Sequence, residues 1–109
     1  MRLQKILVNN FLTCYCGGME LERDIEQRLV WHVERLGGKA WKFTSPAMRG
    51  VCDRLVLLPG GAVWFVELKT PQGRVSMAQE RFAQVVQALE GNYACLWSSK
   101  EVDEWARSL

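Results

Sequence analysis

Apolar positions along the chain fall into two periods. From Met19 to Leu36, the residues Leu21, Ile25, Leu29, Val33 and Leu36 recur at steps of three and four, Val30 widens the stripe, and Gly37-Gly38 supply a stop. That spacing predicts an amphipathic helix. Ala40 to Ser45 reads as a short strand. Leu55 to Leu58 and Ala62 to Val66 are nearly unbroken apolar runs joined by Pro59-Gly60-Gly61, which predicts two strands buried on both faces and connected by a tight turn. After Pro71-Gln72-Gly73, the segment from Ser76 to Gln79 fits a capping box. It opens a helix with Met77, Phe82, Val85, Val86 and Leu89 as its apolar positions and Gly91 as its stop. Tyr93 to Ser98 reads as a further strand. A second capping-box match, Ser98 to Glu101, opens a last helix with Val102, Trp105, Ala106 and Leu109 on one side. The order is helix, strand, strand, strand, helix, strand, helix. Residues 1–18 carry no clear period and are expected to be an edge strand, a dimer contact or a loose tail; residues 19–109 form one domain.

Charge enters this pattern where it costs most. Along the second strand of the hairpin Val63, Phe65, Glu67 and Lys69 share one face, so an acid and an ammonium stand side by side in an apolar run. A carboxylate taken out of water costs several kcal/mol unless a cation or good hydrogen bonds compensate it. The antiparallel return should bring Asp53 level with Glu67 and Lys69. Two readings fit: a structural salt bridge at a sheet end, or a divalent-metal site. Mg²⁺ is commonly held by one or two carboxylates with waters retained, and a neighbouring lysine could position a water nucleophile and neutralise charge developing on a phosphate. Glu22 falls near the centre of the first helix's apolar arc and Glu26 towards its edge. Acids in a first turn ordinarily face solvent as partners of the helix dipole; if this helix packs on the sheet, Glu22 points inward and needs a cation. His32 and Trp31 flank the stripe as packing or surface residues.

Composition narrows the partners. The 109 residues are 49% apolar and 24% charged, which excludes disorder and fits a single domain. Fourteen Lys+Arg against twelve Asp+Glu leave a net charge of only +2, so a nucleic-acid surface must come from local clustering. Lys39, Lys42, Arg49 and Arg54 gather around the loop that leads to Asp53, and Arg74 follows the second strand; Lys42, Arg49, Arg54 and Arg74 are the candidate phosphate contacts. Cys14, Cys16, Cys52 and Cys95 lack the spacing of a zinc site, and His32 is the only histidine. No apolar run approaches a membrane span. The beginning of the chain does not read as an export signal, so a cytoplasmic protein of a bacterial or phage-infected cell with reduced thiols is expected.

The stretch Gly50-Val51-Cys52-Asp53-Arg54-Leu55-Val56-Leu57-Leu58-Pro59-Gly60-Gly61 followed by Trp64-Phe65-Val66-Glu67-Leu68-Lys69-Thr70-Pro71 resembles the core of the virus-type replication-repair nuclease domain, VRR-NUC, a branch of the PD-(D/E)xK nuclease superfamily. The likeness runs from about Glu20 to Trp105 and takes in the Leu36 to Phe43 turn and the Ser76 to Phe82 helix. Stand-alone phage and bacterial members resemble archaeal Holliday-junction resolvases, whose first helix carries a glutamate in a pattern that Glu22-Arg23-Asp24-Ile25 matches. The resemblance implies an α/β fold with an αβββαβ restriction-endonuclease-like core and a mixed central sheet flanked by helices. It implies Asp53 and Glu67 as metal ligands with the Leu68 backbone carbonyl as a third, Lys69 as the catalytic lysine, Glu22 as the helix-borne acid with Glu26 as its backup, and Gln79 as the helix-borne glutamine. The family usually has proline where this chain has Cys52, which affects loop shape more than ligands, although a thiol there could take a soft metal or be oxidised.

The activity so implied is Mg²⁺- or Mn²⁺-dependent hydrolysis of DNA phosphodiesters leaving 5′-phosphate and 3′-hydroxyl ends, in DNA repair or recombination. Symmetric cutting of a Holliday junction needs two sites and hence a homodimer, with residues 1–18 or the Trp97 to Trp105 region as candidate contacts. A nuclease nicking flaps or single strands, a catalytically silent nucleic-acid-binding module on the same fold, and a cysteine-based metal or redox protein are the alternatives. No membrane and no organic cofactor are expected.

Overall fold

The computed structural model describes residues 20–109. Its elements run α1 (Glu22–Arg35), β1 (Lys39–Lys42), β2 (Arg54–Leu57), β3 (Val63–Leu68), α2 (Met77–Ala88), β4 (Asn92–Leu96) and α3 (Ser99–Arg107). The strands form one mixed sheet in the order β1-β2-β3-β4, antiparallel up to β3 and parallel between β3 and β4, with α2 as the crossover. This is the expected α/β core, with ends shifted by one to three residues. No helix among the described residues is long and apolar enough to cross a membrane.

One sheet face carries the core. Val56, Val66, Leu68 and Leu96 pack there with Ile25, Leu29 and Val33 of α1 and Val102, Trp105 and Ala106 of α3, and the Trp64 and Trp105 rings meet edge to face at 5.5 Å. The predicted first helix is trimmed at both ends. Leu21 is the extended N-cap and Leu36 the C-cap, and both are exposed, because the residues outside the helical turns leave the arc that faces the sheet. Trp105, placed by the sequence in a candidate dimer contact, lies in the core instead, 7% exposed. The other candidate contact, residues 1–18, lies outside the described residues, as do Cys14 and Cys16.

Among the described residues, the opposite sheet face is covered by α2 alone. Phe82 of α2 meets Phe65 at 5.7 Å and Tyr93 at 6.4 Å, and Val86 is buried, but Met77, Val85 and Leu89 are exposed. Strands buried on both faces were expected, yet Leu57 and Val63 at the hairpin end are each 38% exposed. One helix is about 10–12 Å wide including its side chains, whereas four strands spaced about 4.8 Å apart need more cover than that. Burial on both faces is reached only at the carboxyl end of β3, where Val66, Glu67 and Leu68 are all enclosed.

Candidate active site

Two turns align the groups at that end of β3. In the hairpin, Gly60 and Gly61 take φ of 89° and 88°, a region open to glycine at little cost, and Leu58 N–H donates to Ala62 O at 2.8 Å. The resulting register pairs Arg54 with Val66 and brings Asp53 beside Glu67, as the sequence predicted. Gly50 fixes the loop in front of Asp53. It has φ of 81°, and a β-carbon there would lie 2.5 Å from the Ala78 backbone, so only glycine lets this loop press against the start of α2.

Glu67 is buried, 1% exposed. Its Oε2 lies 3.3 Å from Lys69 Nζ and accepts from Gln79 Nε2 at 2.8 Å, whereas Oε1 is buried with no donor. Asp53 accepts from the Leu68 N–H at 2.8 Å and is close enough to Glu67 for their carboxyl groups to interact directly. Burial first, then the Asp53 charge, push the Glu67 carboxyl up to about 7 against the pull of Lys69. Two carboxyl groups that repel, one of them with an orphaned oxygen, form a site short of positive charge.

Around this pair the predicted residues divide. Gln79 closes the capping box and reaches the site with the same side chain: Oε1 accepts from Ser76 N–H at 2.9 Å while Nε2 holds Glu67. The second predicted box is half formed, because Ser98 Oγ accepts from Glu101 N–H but the Glu101 carboxylate turns to Trp97 N–H. Glu22, expected either to face solvent as a partner of the helix dipole or, with the helix packed on the sheet, to point inward, is exposed at the first residue of α1. It still senses the cluster: partial burial and the Asp53 charge raise its carboxyl, and Lys69 opposes them. Glu26 is held by Arg54 at 2.8 Å, with Lys42 at 3.8 Å. Arg54 also donates to Ala40 O at 2.8 Å, so that cation is committed inside the fold. Lys42, Arg49 and Arg74 are exposed.

Cys52, in the place of the family proline, is buried, and its thiol donates to Arg54 O at 3.3 Å. Burial, with Glu67 and Asp53 adding, pushes it up to about 12, so it is a neutral filler rather than a nucleophile. Cys95 pairs with Glu67 across β3 and β4 and is likewise pushed up, by burial and then by Glu67, to about 11. Among the described residues no three His, Cys, Asp or Glu side chains form a ready-made metal cage. One polar cluster was not foreseen from the sequence. Asp103 of α3 accepts from Arg28 Nε and Nη2 at 2.8 and 3.0 Å and meets His32 Nε2 at 2.7 Å, both from α1. The spacing of Arg28 and His32, one helical turn apart, was its only local trace.

The chain is thus a mixed four-stranded α/β sheet that carries an acid pair and a lysine at the end of its central hairpin. A solved structure described as a VRR_NUC domain matches it with a TM-score of 0.75 and 29% sequence identity, covering 79% of this chain and 94% of that one. The chain thus carries the fold of a VRR-NUC nuclease domain, as its sequence resemblance implied. It is also 56% identical over 50 residues to "Putative nuclease p44" of Acyrthosiphon pisum secondary endosymbiont phage 1; the match takes in 46% of this chain and about half, 54%, of that protein. No family model matches.

Proposed function

We propose that this protein is a divalent-metal-dependent endodeoxyribonuclease that cuts branched DNA, with the Holliday junction as its substrate and a homodimer as its working form. The observation that carries the reading is Glu67 Oε1, a carboxylate oxygen enclosed beside a second acid and left without a donor. Such an atom is costly unless a cation reaches it. Asp53 and Glu67 would hold the ion with the Leu68 carbonyl, and Glu22, exposed at the rim, would join from the helix. Glu26 is a poorer candidate because Arg54 already occupies it. Oxygen donors of this kind suit Mg²⁺ or Mn²⁺. When bound, that ion supplies Lewis acidity that activates water and offsets charge on the phosphodiester.

The chain's own residues supply the rest. Lys69, its side chain 17% exposed, presents an ammonium to the charge that grows on the phosphate oxygens, where a fixed donor is worth more than in water. Arg49, Arg74 and Lys42, all exposed, would take flanking phosphates, which position the strand without reading its sequence; Arg54, spent on Glu26, would not. The nuclease-named phage relative and the VRR_NUC likeness support the nuclease part of this reading. The homodimer reading draws support from the apolar side chains left bare beside α2, notably Trp41, Val85 and Leu89.

The test is cleavage of junction, flap, single-stranded and linear duplex DNA side by side, with Mg²⁺, with Mn²⁺ and with chelator. Junction cutting that needs the ion and disappears in Glu67→Ala and Lys69→Ala supports the proposal. Binding without cleavage in all conditions would make the protein a silent nucleic-acid-binding module, and preference for flaps from a monomer would end the resolvase reading.

A further inference from the structure

Glu67 has two oxygens with opposite fates, and the difference is set by a residue that never touches it. Oε2 takes both donors, Lys69 at 3.3 Å and Gln79 at 2.8 Å, and Oε1 takes none. The Gln79 amide has a carbonyl end and an NH₂ end pointing opposite ways, and either could face a neighbour. Ser76 decides which. Its backbone N–H can only donate, so it selects the carbonyl end, at 2.9 Å, and the NH₂ end is then aimed at the carboxylate. The Ser76 hydroxyl closes the loop by accepting Gln79 N–H at 3.1 Å.

We infer that Ser76 is a positioning residue for the candidate metal site: its backbone N–H locks the Gln79 amide so that Glu67 Oε2 is occupied and Oε1 is the oxygen presented to a cation. The inference rests on the metal-dependent reading above and deepens it. A flipped amide would put a carbonyl oxygen against a carboxylate, which is repulsive, and would leave Lys69 to hold Oε2 without the amide's help. In that case the helix cap and the site would no longer be one hydrogen-bonded unit. Partners that orient ligands in this way typically contribute 10–100-fold in metal affinity.

The two roles of Ser76 can be separated because its φ is −76°, a value proline adopts. Ser76→Ala removes the hydroxyl and keeps the N–H; Ser76→Pro removes both. The readout is Mn²⁺ affinity by calorimetry on the full chain without DNA, with far-UV circular dichroism as the check on folding. Ser76→Ala should stay within about threefold of the unmutated protein, while Ser76→Pro should weaken binding about tenfold, as should Gln79→Met. The double variant Ser76→Pro/Gln79→Met should lose no more than either single, since both break the same link. As a control, Ser98→Ala, which removes the cap of α3, should leave Mn²⁺ affinity unchanged.

A folded Ser76→Pro protein that binds Mn²⁺ as Ser76→Ala does would overturn the inference and leave the metal reading standing. Unmutated protein that binds no more Mn²⁺ than Glu67→Ala would overturn both. If Ser76→Pro does not fold, the unmutated chain still decides. The Gln79 side-chain NH₂ should give two well-separated proton resonances protected from solvent exchange, and a pair indistinguishable from exposed glutamines would sink the proposal.

Discussion

Glu67 is held where a carboxylate is unwelcome, and its chemistry follows from that. Its carboxyl is raised from the ordinary 4.5 to about 7, so the fold favours the protonated form. Below pH 4.5 folded and unfolded chains both carry the proton and the acid costs nothing. Between 4.5 and about 7 the unfolded chain loses its proton first, so metal-free stability falls as pH rises, and above 7 the full penalty persists. Glu67→Gln should therefore raise stability in chelator at pH 8 by a few kcal/mol and change it little at pH 4, as urea unfolding at the two pH values would measure. The same substitution should abolish cleavage. A more stable but inactive variant is the signature of a functional acid, since a structural salt bridge to Lys69 would lose stability instead.

At the level of elements, α1 and α3 are joined by an interaction that behaves in the opposite sense. Burial works against the Asp103 charge, but the hydrogen bonds from His32 and Arg28 outweigh it and bring its carboxyl down to about 2. That contribution is complete above pH 3.8 and is lost as pH falls towards 2. Asp103→Asn should lower stability at pH 7 by about 2 kcal/mol, and the loss should shrink at pH 2.5. Since α1 carries Glu22, loosening its seat should weaken catalysis less than removing Glu67 does. The loop before β2 has its own constraint. Gly50→Ala would place a methyl 2.5 Å from the Ala78 backbone at a φ of 81°, so a loss of about 1–3 kcal/mol is expected. Because Asp53 follows that loop, cleavage should fall further than stability, as activity assays under conditions where the variant is fully folded would show.

For the whole molecule, the uneven cover of the sheet is the feature with consequences. The α1 and α3 face is closed, whereas the α2 face leaves Trp41, Leu57, Val63, Val85 and Leu89 exposed. Exposed apolar surface beyond single scattered residues marks interaction sites, and on the homodimer reading a second copy covers this one. Light scattering should give the mass of two chains. Val85→Arg/Leu89→Arg should give one, with junction cleavage lost and slow nicking of single strands retained. A double variant that remains dimeric would move the contact elsewhere.

The sequence by itself determined the element order, the hairpin, the closed capping box at Ser76 and Gln79, and the side-by-side placement of Glu67 and Lys69, because each depends on interactions between residues a few positions apart. It also placed Asp53 opposite Glu67, since a tight turn sets the register of both strands. Long-range packing settled that Glu67 Oε1 is left without a donor while Glu22 stays at the rim, that Arg54 is spent on Glu26, that Trp105 belongs to the core, and that Arg28, His32 and Asp103 meet. Those outcomes depend on which distant segments exclude water or bring opposite charge, and desolvation and pairing across the sheet leave no period in the chain.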